Sequence, residues 1–478
     1  MNRRDILAGI PATIIGMSGL SALAASKENN NPPIKKNPTS GVAPTPPMGW
    51  NSFDAYDCRI NEKEFKAVVD FLATNLKPFG WEYASMDYCW FNPEPGNWNN
   101  PKRRFGHPDV RMDENGIPLD RLEIDKNARL MPSPVRFPSA ANGKGFKPLA
   151  DYVHSKGMKF GLHIMRGIPR QAYYDNLPIK GTNYKVKDIA EPWDTCNWCN
   201  NMFGVDPTKP GAQAYYDSLF ELYASWGVDL IKADDTMYPP YHKGEIEMMR
   251  KALDKCGRPM VLSLSCGEAP ISQAEHLKVN ANMWRISEDF WDDWEDLNHS
   301  FDLLNAWTPH RKENRWPDAD MIPFGKLAIN NRPKGLERMS KFTEDEHYTL
   351  MSLWCIGRSP LMWGGDPLQT PMQTIRTFLQ NKEIIAINQY SKDNRQVVST
   401  KTHRIWIATD TKSADKYVAI FNTSEKSEKI DFQLELEYMR KKYKVRDLWE
   451  HADLGVIEKV LSAQVPSHGA KVFRLTEV

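Results

Sequence analysis

The sequence predicts an α/β chain: an eightfold barrel of parallel strands ringed by helices, carrying insertions, then a small antiparallel β domain. Three observations predict it. From about residue 46 short apolar segments alternate with amphipathic helical patterns, the signature of a parallel sheet with crossover helices. After about Asn388 the helical period gives way to short alternating segments between turn-rich stretches. The chain, at 478 residues, is long enough for two domains.

Taken in order, Met1 to Ala25 reads as a secretory signal peptide. Arg3-Arg4 supplies the charged start, Ile6 to Ala25 the apolar run, and Ala22-Leu23-Ala24 a small-residue cleavage pattern. Gly9, Pro11, Gly16 and Gly19 interrupt the run, which argues against a spanning anchor. The protein is expected to be exported, periplasmic or secreted, with no membrane association once the signal is removed. Residues 26–45, with their Asn run and scattered Pro and Lys, read as a flexible leader. Strand-like segments follow at Trp81–Met86, Lys159–Met165, Val228–Ala233, Met260–Ser265 and Met283–Ser287. Between them Asn61 and Glu64 form a capping box ahead of Phe65, Val68, Val69, Leu72 and Leu76 at helical spacing. Pro148–His154 is a helix closed by Gly157. Tyr215, Leu219, Leu222 and Trp226 define another, stopped by Gly227, and Glu344-Asp345-Glu346 after Thr343 opens a third. The barrel is placed at 46–388. The C-terminal domain, 389–478, carries strands at Arg404–Ala408, Tyr417–Phe421, Lys429–Leu434 and Lys444–Leu448.

Composition excludes several classes. Lys plus Arg is 62 against 61 Asp plus Glu, so there is no basic excess to track a phosphate backbone, and nucleic-acid binding is not expected. Hydrophobic residues make up 41% and aromatic residues 11%, too rich for a disordered chain. The sixteen Trp offer flat apolar faces for a large core and for stacking on sugar rings. Seven cysteines leave at least one unpaired. Cys196 and Cys199 have CxxC spacing but no second pair to complete a zinc site; a local disulfide or two free thiols is the better reading.

Acidic clusters fall where barrel strands should end: Asp87, Lys232-Ala233-Asp234-Asp235, Arg285-Ile286-Ser287-Glu288-Asp289 and Asp318-Ala319-Asp320. Two carboxylates converging on a barrel mouth can flank a glycosidic bond, one attacking the sugar carbon and one protonating the leaving oxygen. A third can grip hydroxyls. Each has a plainer reading: an Asp at a strand end can simply cap the next helix, and Asp292-Asp293 reads that way. Only one of Glu288 and Asp289 should face the mouth. Lys232 shares the inward face of Asp234, where it can hold a hydroxyl and keep Asp234 ionised. His163 reads as a packed, hydrogen-bonded residue. These signals alone define a barrel enzyme with an acidic mouth.

The motifs go further. Thr45-Pro46-Pro47-Met48-Gly49-Trp50-Asn51-Ser52-Phe53 resembles the opening strand of glycoside hydrolase family 27, the α-galactosidase family of retaining glycosidases. The likeness continues through Met86-Asp87-Tyr88-Cys89-Trp90, Gly227 to Asp234, Trp284 to Asp289, Pro317 to Met321, Arg358 to Met362 and Ile385 to Gln389. It covers nearly all of residues 45–390 in order. The resemblance implies a barrel followed by a β-sandwich, a carbohydrate substrate, and no metal or organic cofactor. It puts the nucleophile at Asp234 and the general acid/base at Asp289, with carboxyls about 5–5.5 Å apart as retention requires. It implies sugar contacts at Trp50, Asp87, Lys232, Arg285 and Asp320, and a disulfide between Cys58 and Cys89. A second family disulfide beside the nucleophile strand has no counterpart, since Thr236 and its neighbours include no Cys.

Two departures bear on the sugar. Most relatives carry Asp-Asp-Cys-Trp where this chain has Asp87-Tyr88-Cys89-Trp90, so a phenol replaces one carboxylate. The family loop that reads the C2 substituent usually contains Cys-Glu-Trp; the resemblance implies its counterpart at Ser263 to Pro270, which aligns only with a shift and puts its carboxylate at Glu268. Terminal α-D-galactose is the expected glycon, with β-L-arabinopyranose (galactose without its C6 carbon) and N-acetylgalactosamine as alternatives. The insertion Glu191–Asn201, with Trp193 and Trp198, is expected to shape the pocket rim. A silent sugar-binding protein and a metal-dependent barrel hydrolase are the rival classes.

Overall fold

The computed structural model describes residues 41–95, 122–196, 198–199, 201–329 and 336–478. The expected signal peptide and most of the leader lie outside them. The last leader residues are docked rather than free. Ala43 is buried, its N–H donates to Asn314 Oδ1 at 2.9 Å, and its carbonyl accepts from Trp316 Nε1 at 2.8 Å. The leader prediction fails at this end because Ala43 joins an apolar cluster with Tyr83, Leu230, Val261, Met283, Trp316 and Met362.

Eight parallel strands form the barrel, in sequence order around the sheet. They are β1 (Met48–Asn51), β2 (Tyr83–Met86), β3 (Lys159–Met165), β4 (Leu230–Asp234), β5 (Val261–Leu264), β6 (Met283–Arg285), β7 (Trp316–Asp318) and β8 (Leu361–Trp363). β8 pairs back onto β1, Gly49 opposite Met362, and a parallel bridge between Ile322 and Trp363 spans the β7–β8 side. The period of two sorts the side chains. Leu230, Lys232 and Asp234 take one face of β4, while Ile231 and Ala233 join the core between the strands and the outer helices. The barrel interior is therefore layered: an apolar floor of Leu230, Val261, Met283 and Trp316, then a polar layer containing Lys232, Ser263, Arg285 and Asp318.

The helices form for the reasons the sequence supplies. Asn61 caps Glu62–Asn75 with both hydrogen bonds of the capping box, and Phe65, Val68, Val69 and Leu72 face the sheet. Thr343 does the same for Glu344–Gly357. Ala212–Trp226 stops at Gly227, whose φ of 89° is left-handed and costs glycine little. Asp293 caps Trp294–Trp307, but its neighbour Asp292 instead accepts from the Arg338 guanidinium and the Lys341 N–H. The strand expected over Met283–Ser287 ends at Arg285, after which the chain turns toward the mouth.

The C-terminal domain starts with the strand Ser391–Ser399, which directly follows the helix Lys382–Tyr390. It is a six-stranded antiparallel sheet covered by a two-stranded one, Glu428–Gln433 with Val460–Val465. Ile405 and Ile407 pack into the sandwich, while Trp406 and Ala408 pack against the barrel helices. Phe301 and Phe421 meet across that seam with ring centroids 5.0 Å apart. No helix among the described residues is long and apolar enough to cross a membrane.

Candidate active site

A cavity of about 200 Å³, the scale of a single pyranose, opens where the strands end. Asp87, Tyr88, Trp198, Lys232, Asp234, Arg285, Asp289 and Asp320 all line it. Sequence reasoning placed these eight, and the barrel brings them together from the segment after β2, from β4, from β6 and the segment after it, from the segment after β7, and from the Glu191–Asn201 insertion.

Asp234 is the last residue of β4, with its side chain 10% exposed. His163 Nε2 lies 2.9 Å from its Oδ2. Burial alone would raise this carboxyl; the Lys232 ammonium and the His163 hydrogen bond outweigh it and hold Asp234 well below the ordinary carboxylate range. Asp234 is thus an ionised carboxylate. Lys232 Nζ donates directly to Asp87 Oδ2 at 2.9 Å, and Asn51 Nδ2 donates to the same oxygen at 2.7 Å. Burial works against the Asp87 anion, but Lys232 and His163 hold it below its usual value.

Asp289 differs in kind. Its side chain is 53% exposed, so it can exchange protons with solvent. Arg285 Nη2 holds it at 3.3 Å and holds Asp320 Oδ2 at 2.9 Å, so one buried guanidinium orients both acids. Asp320 Oδ2 also accepts from the Phe290 N–H at 2.9 Å, and burial raises the Asp320 carboxyl despite Arg285. Beneath it Asp318 is pushed up to about 7, by burial and then by Asp320. Glu288, Asp289's neighbour, turns away and accepts from Tyr238 OH at 2.8 Å.

Tyr88 is 3% exposed and fixed. Its OH accepts from Asn201 Nδ2 at 2.9 Å and lies 3.2 Å from Cys199 Sγ, and its ring meets Phe91, His163 and Trp198 edge-on.

Three expectations need correcting. Trp50 does not line the pocket. It is fully buried on the outer side of β1, packed on Tyr56 and Phe65, with Nε1 donating to Gly365 O at 2.8 Å. Its neighbour Asn51 takes the inward face, so alternation sends Trp50 outward. Glu268 is exposed and lies off the cavity. Cys58 and Cys89 are both buried free thiols rather than the implied disulfide. Cys196 and Cys199 are likewise free thiols.

Sequence reasoning missed Phe53, Asp54, Tyr238, Cys266, Phe290, Trp291 and Met321 on the cavity wall. Asp54 could have been found, as an acid just beyond the polar end of β1; Gly364 leaves it room, since a Cβ there would collide with its carboxylate. Asp194, His242 and Glu245 each offer a metal-ligand atom within 4.8 Å of one another. The Arg166 guanidinium already binds both Asp194 and Glu245, at 2.8 Å from each through Nη1, and meets that negative charge itself.

A closed parallel barrel with an ionised and a solvent-linked carboxylate facing one sugar-sized cavity is the architecture of a glycoside hydrolase. Comparison with known proteins agrees. Residues 204–390 match the family model described as Alpha galactosidase A, and residues 400–475 that of the Alpha galactosidase C-terminal beta sandwich domain. A solved GH27 β-L-arabinopyranosidase from Geobacillus stearothermophilus is 44% identical with a TM-score of 0.86, the match covering 91% of this chain and 97% of that one. A putative α-N-acetylgalactosaminidase from Bacillus halodurans is 38% identical with a TM-score of 0.79, over 91% and 97%. Alpha-galactosidase A of Cellvibrio japonicus is 27% identical, over 97% of this chain and 98% of its own. The chain belongs to glycoside hydrolase family 27 and is a retaining glycosidase.

Proposed function

We propose that the protein removes a terminal pyranose of the galacto configuration by double displacement, with Asp234 as nucleophile and Asp289 as general acid/base. Asp234 attacks the anomeric carbon as protonated Asp289 gives its proton to the leaving oxygen. Asp289 then takes a proton from water, whose oxygen displaces Asp234 from the glycosyl-enzyme. The division of roles rests on environment: Asp234 is held ionised by Lys232 and His163, while Asp289 is open to solvent. Lys232 and Asp87 would bind hydroxyls on the sugar's far side, and Arg285 would hold Asp289 toward the bond being cleaved.

The preferred glycon in this reading is β-L-arabinopyranose, with α-D-galactose second. The observation that carries it is Tyr88: where most relatives offer a second carboxylate, this pocket has a buried ring whose OH is engaged by Asn201 and Cys199. A locked phenol fills space that a C6 hydroxymethyl group would need and withdraws an acceptor for its hydroxyl. The 44%-identical relative described as a β-L-arabinopyranosidase supports this choice, while the curated relatives named α-galactosidases support the second reading. The test is kcat/KM on p-nitrophenyl β-L-arabinopyranoside, α-D-galactopyranoside and α-N-acetylgalactosaminide. Preference for either of the last two would overturn the choice of glycon. Export, with oxidation of Cys58 and Cys89 to a disulfide outside the cytoplasm, belongs to the same proposal.

A further inference from the structure

A second cavity, of about 610 Å³, lies at the opposite end of the barrel. Its walls include Trp316, which opens β7, and Arg358, just ahead of β8, together with residues of the C-terminal sheet. It shares no lining residue with the catalytic pocket. Six cationic side chains line it against three acidic ones, and one of each is removed by the Arg395–Glu437 ion pair. Lys416 Nζ donates to an uncharged partner, Thr409 Oγ1, at 2.9 Å.

Two guanidiniums define the site. Arg311 donates to the carbonyls of Gly357 and Asn394, and Arg358 to those of Asn388, Ser391 and Gln389. Arg358 also lies over the Trp316 ring, 4.8 Å from its centroid. Among the described residues no carboxylate forms an ion pair with either. Backbone carbonyls solvate a cation without neutralising it, and each guanidinium keeps N–H groups uncommitted. The like charges act on each other: burial and Arg358 push Arg311 down to about 9, and burial pushes Arg358 down to about 10 against the pull of Glu313. Two half-buried, unneutralised cations facing an open cleft are costly unless an anion joins them.

We propose that this cleft binds an oxyanion or carboxylate group, held by Arg311 and Arg358 with the exposed Lys312 and Lys392 at its mouth. Planar guanidinium forks suit such groups. The group can come from a free small anion or from an acidic residue of a saccharide chain. Because the cleft is walled by both the barrel and the C-terminal sheet, a bound anion ties the two together.

The test is calorimetric titration and thermal unfolding of the full chain with sulfate, phosphate, galacturonate and trigalacturonate, ionic strength being held constant with sodium chloride. Saturable binding is expected, with Tm rising with the logarithm of anion concentration. Arg311→Met, and separately the surface double change Lys312→Glu with Lys392→Glu, should weaken binding about 10- to 100-fold while leaving nitrophenyl-glycoside hydrolysis unchanged. The double change alters only exposed side chains, so it tests the site even if Arg311→Met does not fold. Tighter binding of trigalacturonate than of sulfate assigns the saccharide source; the reverse order assigns the free anion. No saturable binding by any of the four, or equal binding by wild type and the charge-reversed variant, would overturn the proposal.

Discussion

His163 Nε2 sits 2.9 Å from Asp234 Oδ2, and strand register puts it there: in the β3–β4 ladder His163 lies opposite Lys232 and Met165 opposite Asp234. Both partners project into the barrel, so the imidazole reaches the carboxylate from beneath, away from the sugar-sized space. The histidine positions the proposed nucleophile and helps keep it ionised.

Replacing that histidine should show both effects. His163→Ala should lower kcat/KM about 10- to 100-fold, the scale of a charge-assisted hydrogen bond lost in a buried site. The pH profile provides the readout that loss of packing would not move. The hydrogen bond lowers the Asp234 pKa, so its removal should move the acid limb of kcat/KM to higher pH. An unmoved acid limb would show that His163 merely packs.

Asp318 gives a stability prediction with a defined sign. Its carboxyl is at about 7 in the folded protein against an ordinary 3.8, because it is buried beside Asp320. A raised folded pKa contributes stability that is fully present below about pH 4 and is lost as pH rises through about 7. The loss is on the order of a few kcal/mol. Asp318→Asn should therefore flatten the fall in Tm between pH 4 and 7. A parallel fall in both proteins would contradict the assignment.

Trp50→Phe should separate packing from sugar binding. The indole fills core between β1 and the helix Glu62–Asn75 and donates to Gly365 O. Its loss should cost about 1–3 kcal/mol of stability. KM on a nitrophenyl glycoside should stay within a factor of about two. A large rise in KM at unchanged Tm would return Trp50 to the substrate site.

What the sequence made legible, and what it hid, follows from how local each signal was. Asp234 with Lys232 two residues earlier was readable from alternation alone, and Asn61 and Thr343 announced their helices through capping boxes. Trp50 was misplaced because motif likeness does not say which way a strand residue points; the alternation that settled Lys232 also sends Trp50 outward, once Asn51 is known to bond Asp87. Glu268 sits where this loop departs from the family spacing, so matching its residue type misled. Tyr238 and Trp291 reach the wall from loops after β4 and β6, whose paths depend on tertiary packing. Trp198 was found by aromatic content in the insertion; its neighbour Trp193, with the same content, is 96% exposed and off the pocket.

Tyr88→Asp tests the glycon. Restoring a short carboxylate should open space near C6 and supply an acceptor. The ratio of kcat/KM for α-D-galactoside to that for β-L-arabinopyranoside should rise about tenfold or more, the scale of one hydrogen-bonded hydroxyl. An unchanged ratio would mean that Tyr88 does not read C6.

The most direct test of the carboxylate pair is azide rescue of Asp234→Ala and Asp289→Ala on an activated nitrophenyl glycoside, with the products' anomeric configuration read by NMR. Without its nucleophile the enzyme can let azide attack only the substrate itself, so Asp234→Ala should yield glycosyl azide of inverted configuration. Without its acid/base the glycosyl-enzyme still forms and azide intercepts it, so Asp289→Ala should yield the retained configuration. Exchange of the two outcomes would reverse the roles, and full wild-type turnover by either variant would remove that aspartate from the reaction.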